Sequence, residues 1–134
     1  RKAEHVPESI QKDYERSFDD ENGQETVLNT CGLDIVRETA YYSFTSFDGC
    51  KKAFEKLSQF YYCRYPFLVS LNNQRANNPH FIAVAKKNGL YELNDPNYKT
   101  VLSNSDPAKL IVKALTRYGI DVFDSLSLIF VKPK

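Results

Sequence analysis

The segment HFIAVAKKNGLYELNDPN, residues 80–97, most constrains the fold, because it predicts two antiparallel strands joined by a two-residue turn. Asn88-Gly89 stands at its centre, and this dipeptide is a strong signal for a tight β-hairpin. With these two residues as the loop, Lys87 pairs with Leu90. His80 and Asp95 then lie on one face as diagonal neighbours, about 7–8 Å apart.

An apolar hairpin needs neither a histidine at its start nor an aspartate at its end. The face that carries His80 and Asp95 is otherwise apolar, since it also holds Ile82, Val84, Tyr91 and Leu93. In such surroundings a carboxylate can hold one imidazole nitrogen and orient the ring. We therefore predict a His80–Asp95 pair. The structural alternative is an ordinary strand end followed by a turn at Asp95-Pro96.

The rest of the chain predicts an α+β fold, with helices first and mostly antiparallel strands after them. Helices are predicted over residues 7–18, 30–44, 46–63 and 105–119, and further strands over 66–72, 99–104 and 125–132. Ser46 or Asp48 would cap the third helix. Ser105 or Asp106 would cap the fourth helix, Pro107 suits its first turn, and Gly119 would end it.

The length of 134 residues suits one domain, with residues 1–23 as a charged N-terminal extension and 24–134 as the core. The formal net charge of +1 gives no field that would favour nucleic acid or a membrane. No apolar run reaches the length of a membrane span, and no targeting segment indicates a location. The absence of methionine favours a processed product or a domain cut from a longer protein.

Three cysteines, an odd number, leave at least one thiol free, and no CxxC or Cys/His spacing predicts a metal site. Cys31 is the candidate nucleophile, because it stands at the predicted start of the second helix, where the dipole favours a thiolate. Gly32 would let a substrate approach the backbone. Cys50 could also lie in a first turn, beside two lysines, whereas Cys63 is predicted to be a packing residue.

Gln24 precedes Cys31 by a short stretch and could donate its amide to an oxyanion, together with the Cys31 backbone amide. The value of Gln24 depends on its combination with the later residues, because glutamine alone is common on surfaces.

Gln24, CG at 31–32, PFLVSL at 66–71, HFIAV at 80–84 and ELNDP at 92–96 occur in the order of a known family. In these motifs the chain resembles the papain-like fold of bacteriocin-processing, double-glycine leader cysteine peptidases. The resemblance implies that Cys31 attacks, His80 is the base, Asp95 orients it and Gln24 supports the oxyanion. It implies no cofactor and no metal.

The charged segment before Gln24 and the short stretch between Cys31 and His80 depart from the leader peptidases. Papain-like toxin domains at the ends of large secreted bacterial proteins fit these features better. The resemblance therefore implies a cysteine hydrolase that cleaves an amide or peptide bond of a protein substrate. If the domain is a toxin, delivery into a target-cell cytoplasm and a cognate immunity protein as partner are implied as well.

Three alternatives remain open at the level of sequence. The first is a binding domain that kept a papain-like fold without activity. The second is a toxin of the same fold acting on nucleic acid, for which the charge balance offers no basic stripe. The third is a transglutaminase or deamidase, since those enzymes share the Cys–His–Asp order.

Overall fold

A sheet of antiparallel strands forms the centre of the molecule in the computed structural model, which describes residues 32–134. The strands are β1 (Leu33–Glu38), β2 (Tyr42–Ser43), β3 (Phe67–Asn72), β4 (His80–Lys87), β5 (Leu90–Asn94), β6 (Leu102–Asn104) and β7 (Ser125–Pro133). The helices are α1 (Phe47–Ser58) and α2 (Pro107–Thr116). The strand order is β1-β7-β3-β4-β5-β6, and β2 pairs with β7 beyond the end of β1.

Strand register defines two ends of this sheet. Leu71 pairs with His80 on one side and with Leu126 on the other, which sets the level of the His80 end. Phe67 pairs with Val84 and with Phe130, toward the opposite end, where the β4–β5 turn lies. We call this second end the turn end.

Both described helices pack on the same face of the sheet. Their buried residues, with Phe54 of α1 and Ile111 of α2 among the largest, join one core cluster with alternate residues of β3, β4, β5 and β7. The opposite face carries a second buried cluster that includes Leu68, Phe81 and Ile129. Alternation along the strands explains this division, because successive side chains point to opposite faces of a sheet.

The helix predicted over residues 30–44 is wrong. The described part of this segment forms β1, which pairs with β7 from Leu33 opposite Pro133 to Glu38 opposite Ile129. The pairing has a register shift between Ile35 and Arg37. Pairing with the edge of β7 provides backbone hydrogen bonds that overrode the local helical pattern.

The later elements agree better with the sequence. Ser46 caps α1 by accepting a hydrogen bond from the Gly49 amide, and α1 ends at Ser58 rather than near Cys63. Asp106 caps α2 and Pro107 begins it, as predicted. Phe60 lies beyond the end of α1 and is exposed. Within residues 32–134 neither helix has the length and hydropathy needed to cross a membrane.

Candidate active site

The β4–β5 hairpin positions the first two residues of the site. Asn88 and Gly89 have φ angles of 53° and 82°, as a tight type I′ turn requires. Lys87 pairs with Leu90 and Val84 with Leu93, so the predicted register is confirmed. His80 therefore opens β4 at the same end of the sheet at which β5 delivers Asp95.

The side chains of His80 and Asp95 meet, as the hairpin predicted. Nε2 of His80 lies 2.7 Å from Oδ1 of Asp95. The Asp95 side chain is completely buried, and His80 retains 9% of its surface. Charge-assisted hydrogen bonds of this length are strong, and low solvent access strengthens them further.

Asp95 is held in its ionised form. Burial alone would raise the pKa of this carboxyl, but hydrogen bonds from His80, Tyr118 and the Asn97 backbone amide, with the charge on His80, lower it overall. An ionised Asp95 can only accept hydrogen bonds, so the proton on the shared His80 nitrogen belongs to Nε2. Nδ1 is then the basic nitrogen of the neutral ring.

Tyr118 is a third member of the site, and the sequence pattern did not predict it. Its hydroxyl lies 2.6 Å from Oδ2 of Asp95 and 2.9 Å from Nε2 of His80. The backbone amide of Tyr118 donates to the Leu115 carbonyl, in the last turn of α2, at 3.0 Å. This hydrogen bond holds Tyr118 at the end of the helix. A tyrosine just before the helix-ending Gly119 is the one sequence signal, and by itself it does not indicate a site.

A cleft of about 430 Å³ opens beside this cluster. His80 and Tyr118 form part of its wall, and Phe123 stacks on the His80 ring with centroids 6.4 Å apart. The remaining lining is uncharged and combines asparagines with small apolar residues: Asn73, Ala76, Asn78, Pro79, Asn97 and Val122. A neutral cleft beside a buried base suits an uncharged reacting group such as an amide.

The two described cysteines do not complete the site. Cys50 lies in the first turn of α1 but is fully buried, and burial raises the pKa of its thiol to about 12. This is the opposite of what a nucleophile needs. Cys63, expected to be a packing residue, is exposed, and it shares a surface pocket with Asn88 and Gly89 at the turn end.

Gln24 and Cys31 lie outside the described residues, but Gly32 is described. The Gly32 carbonyl accepts a hydrogen bond from the Lys134 amide at 2.9 Å, beyond the last residue of β7. From Leu126, at the His80 end, to Pro133, β7 advances roughly 23 Å at about 3.3 Å per residue. Gly32 therefore lies at the turn end, far from His80.

The role of Cys31 as the nucleophile stays a prediction, because Gly32 is the first described residue of this segment. The described residues that follow Gly32 form a strand and not the predicted helix, since β1 begins at Leu33.

Metal ligation has no support in the part of the chain that the structure describes. No group of three or more His, Cys, Asp or Glu side chains comes together there. His80 and Asp95 bond to each other and to Tyr118.

No family model matches the sequence, and no curated protein matches it. Among solved structures, the chain is similar to the Pseudomonas avirulence protein AvrPphB, with a TM-score of 0.66 and 20% sequence identity. The match covers 92% of this chain and 70% of the AvrPphB chain. The α+β fold of this chain, with its antiparallel sheet, thus resembles the papain-like fold of AvrPphB.

Proposed function

We propose that this chain contributes the base and its orienting carboxylate to a papain-like cysteine hydrolase that cleaves an amide or peptide bond in a protein substrate. The observation that carries the proposal is the buried 2.7 Å contact between His80 and Asp95 at the wall of an open cleft. A similar fold occurs in an effector protease, which supports the same reaction class.

The proposed mechanism follows from the tautomer. Nδ1 of His80 takes the proton of a thiol, and the thiolate attacks the carbonyl carbon to form a tetrahedral intermediate. The imidazolium, stabilised by Asp95, then donates this proton to the leaving amine as the acyl-enzyme forms. Water, deprotonated by the same nitrogen, releases the acid product and regenerates the thiol. We retain Gln24 as a proposed oxyanion donor, which lies outside the described residues.

Neither described cysteine is suited to supply the thiol, because Cys50 is buried with a raised pKa and Cys63 lies at the turn end. Cys31, outside the described residues, is the nucleophile that the sequence predicts. The position of Gly32 at the turn end favours a different source, and we propose that a further segment, in the same polypeptide or in a partner, places a cysteine against His80. Part of the AvrPphB chain has no counterpart here, which is compatible with such a segment.

An inactive papain-like binding domain is the second candidate, and the unsuitability of both described cysteines, Cys50 and Cys63, favours it. A peptide-based thiol electrophile, applied to the complete gene product and followed by mass spectrometry, separates the two. The hydrolase proposal expects one cysteine, different from Cys31, to react at a rate that His80→Ala lowers about 10²–10⁴-fold.

Each other result of this experiment has a defined meaning. Fast labelling of Cys31 that depends on His80 would restore Cys31 as nucleophile and refute the proposed external thiol. Labelling of every cysteine at the rate of the denatured protein would refute the hydrolase and support the binding domain.

We also propose that the domain acts as a bacterial effector or toxin module, a role suggested by the similarity to an avirulence protein. Expression of the complete gene product in the cytoplasm of a target cell should then arrest growth, and His80→Ala should relieve the arrest. Growth that is unaffected by well-expressed, soluble wild-type protein would contradict the role. A cognate immunity protein would be a partner only if the arrest occurs.

A further inference from the structure

We propose that Tyr118 is a positioning residue, which fixes the Asp95 carboxylate and thereby selects the catalytically useful tautomer of His80. The catalytic meaning of this inference rests on the proposed hydrolase, but the tautomer can be measured without any activity. The geometry that carries it is one hydroxyl within hydrogen-bonding distance of both residues, 2.6 Å from Asp95 Oδ2 and 2.9 Å from His80 Nε2.

The hydrogen bonds define the direction of each donor. Tyr118 donates its hydroxyl proton to Oδ2, because an ionised carboxylate has no proton to give. Oδ1 accepts from His80 Nε2 at 2.7 Å and from the Asn97 backbone amide at 3.0 Å. The Asn97 side-chain amide donates to the Tyr118 oxygen at 3.2 Å. Both carboxylate oxygens are thus held, and the plane of the carboxylate cannot rotate freely.

The Tyr118 ring is itself fixed by its neighbours. It packs edge-on against Phe123 at 5.2 Å and against Tyr98 at 5.6 Å, measured between ring centroids. Phe123 also stacks on His80, so the same aromatic group supports the base and the hydroxyl. Because its ring is already fixed, Tyr118 loses little further conformational entropy when its hydroxyl bonds to Asp95. The hydrogen bond therefore restrains the carboxylate strongly.

Removal of the hydroxyl has a specific chemical consequence. Tyr118 lines the cleft, so water could reach Oδ2 once the hydroxyl is gone. A carboxylate that exchanges between water and protein donors holds Nε2–H less firmly, and the Nδ1–H tautomer gains population. That tautomer cannot accept a proton at Nδ1, which the proposed mechanism requires.

The test compares Tyr118→Phe with Tyr98→Phe in ¹⁵N-labelled residues 1–134. Both variants keep the aromatic ring, but the Tyr98 hydroxyl donates to the Arg117 carbonyl and contacts neither His80 nor Asp95. His5→Gln in every sample leaves His80 as the one histidine, because the chain has two. Long-range ¹H–¹⁵N spectra of the neutral imidazole report the tautomer directly.

Wild type and Tyr98→Phe should show the Nε2–H tautomer at roughly nine-tenths or more, with a slowly exchanging Nε2 proton. Tyr118→Phe should show mixed tautomers and exchange of this proton about ten times faster. If Tyr118→Phe retains the wild-type tautomer and exchange rate, the proposal is overturned.

Loss of folding is a separate outcome with its own meaning. If Tyr118→Phe is poorly folded, the spectra are repeated in sucrose, which stabilises folded states. A variant that does not fold even then would make Tyr118 a structural residue and overturn the proposal. A changed tautomer in a protein with no hydrolase activity would support the positioning role while the proposed function fails, so the two failures are distinguishable.

Discussion

His80 Nε2 and Asp95 Oδ1 lie 2.7 Å apart because the Asn88-Gly89 turn brings the start of β4 beside the end of β5. Without the pairing of β4 and β5, the two residues would lie apart, because 15 positions separate them along the chain. A shift of the strand pairing by one residue would move the side chains of a strand to the opposite face and separate the pair. The turn is therefore part of the site, although it lies at the other end of the hairpin.

Gly89→Ala should destabilise the protein by about 1–2 kcal/mol, because the left-handed backbone conformation costs an alanine about this much free energy. Gly89 has a φ of 82°, and a Cβ there would meet no atom within 4 Å, so the cost is conformational rather than steric. Urea denaturation measures the change. Asn88→Gly is the matched control and should change the free energy of unfolding by less than about 0.5 kcal/mol. Equal stability of Gly89→Ala and wild type would contradict the assigned turn.

Cys31→Ala should leave His80-dependent hydrolysis by the complete gene product within about twofold of wild type, whereas His80→Ala should lower it by about 10²–10⁴-fold. The reason is the position of Gly32 at the turn end, bonded to Lys134. Turnover of a protein substrate provides the measurement, with circular dichroism to establish that each variant folds. Abolished turnover in a folded Cys31→Ala protein would mean that residue 31 reaches His80 after all.

The sequence predicted the hairpin half of the site because a two-residue turn determines strand register locally. Ser46, Asp106 and Pro107 marked the helix starts for the same reason, since capping depends on neighbours along the chain. The Cys31 assignment depended on a helix, but backbone pairing with the distant β7 made the segment after Gly32 a strand. Tyr118 was missed because its hydroxyl meets His80 only after α2 packs on the sheet.

Cys63 should react quickly with a thiol reagent such as dithionitrobenzoate in the native protein, and Cys50 should react only on unfolding. Cys63 is exposed, while Cys50 is fully buried and burial raises the pKa of its thiol to about 12. A Cys31→Ser background removes the third thiol. One equivalent of released thiolate in native buffer and two in denaturant is the expected absorbance result. Two fast equivalents without denaturant would show that Cys50 is accessible and reopen it as a nucleophile.

Asp95→Asn should destabilise the protein most near neutral pH and progressively less in acid. The folded-state pKa of Asp95 is lowered from its ordinary value of 3.8. The ionised carboxylate therefore contributes stability fully above 3.8, and this contribution is lost as the pH falls through the lower, folded-state pKa. At about pH 7 the loss should be roughly 1–3 kcal/mol, the cost of leaving buried donors poorly paired.

Chemical denaturation of both proteins from about pH 7 to pH 3 tests this dependence, because the difference in unfolding free energy should shrink with acidification. Asp48→Asn is the control, since Asp48 forms an exposed ion pair with Lys52 at 3.1 Å. Such a pair contributes under about 1 kcal/mol. A difference for Asp95→Asn that stays constant down to pH 3 would show that folding does not lower the pKa of this carboxyl. A difference that grows on acidification would show that Asp95 is protonated in the folded protein, and the assigned direction of the Tyr118 hydrogen bond would be wrong.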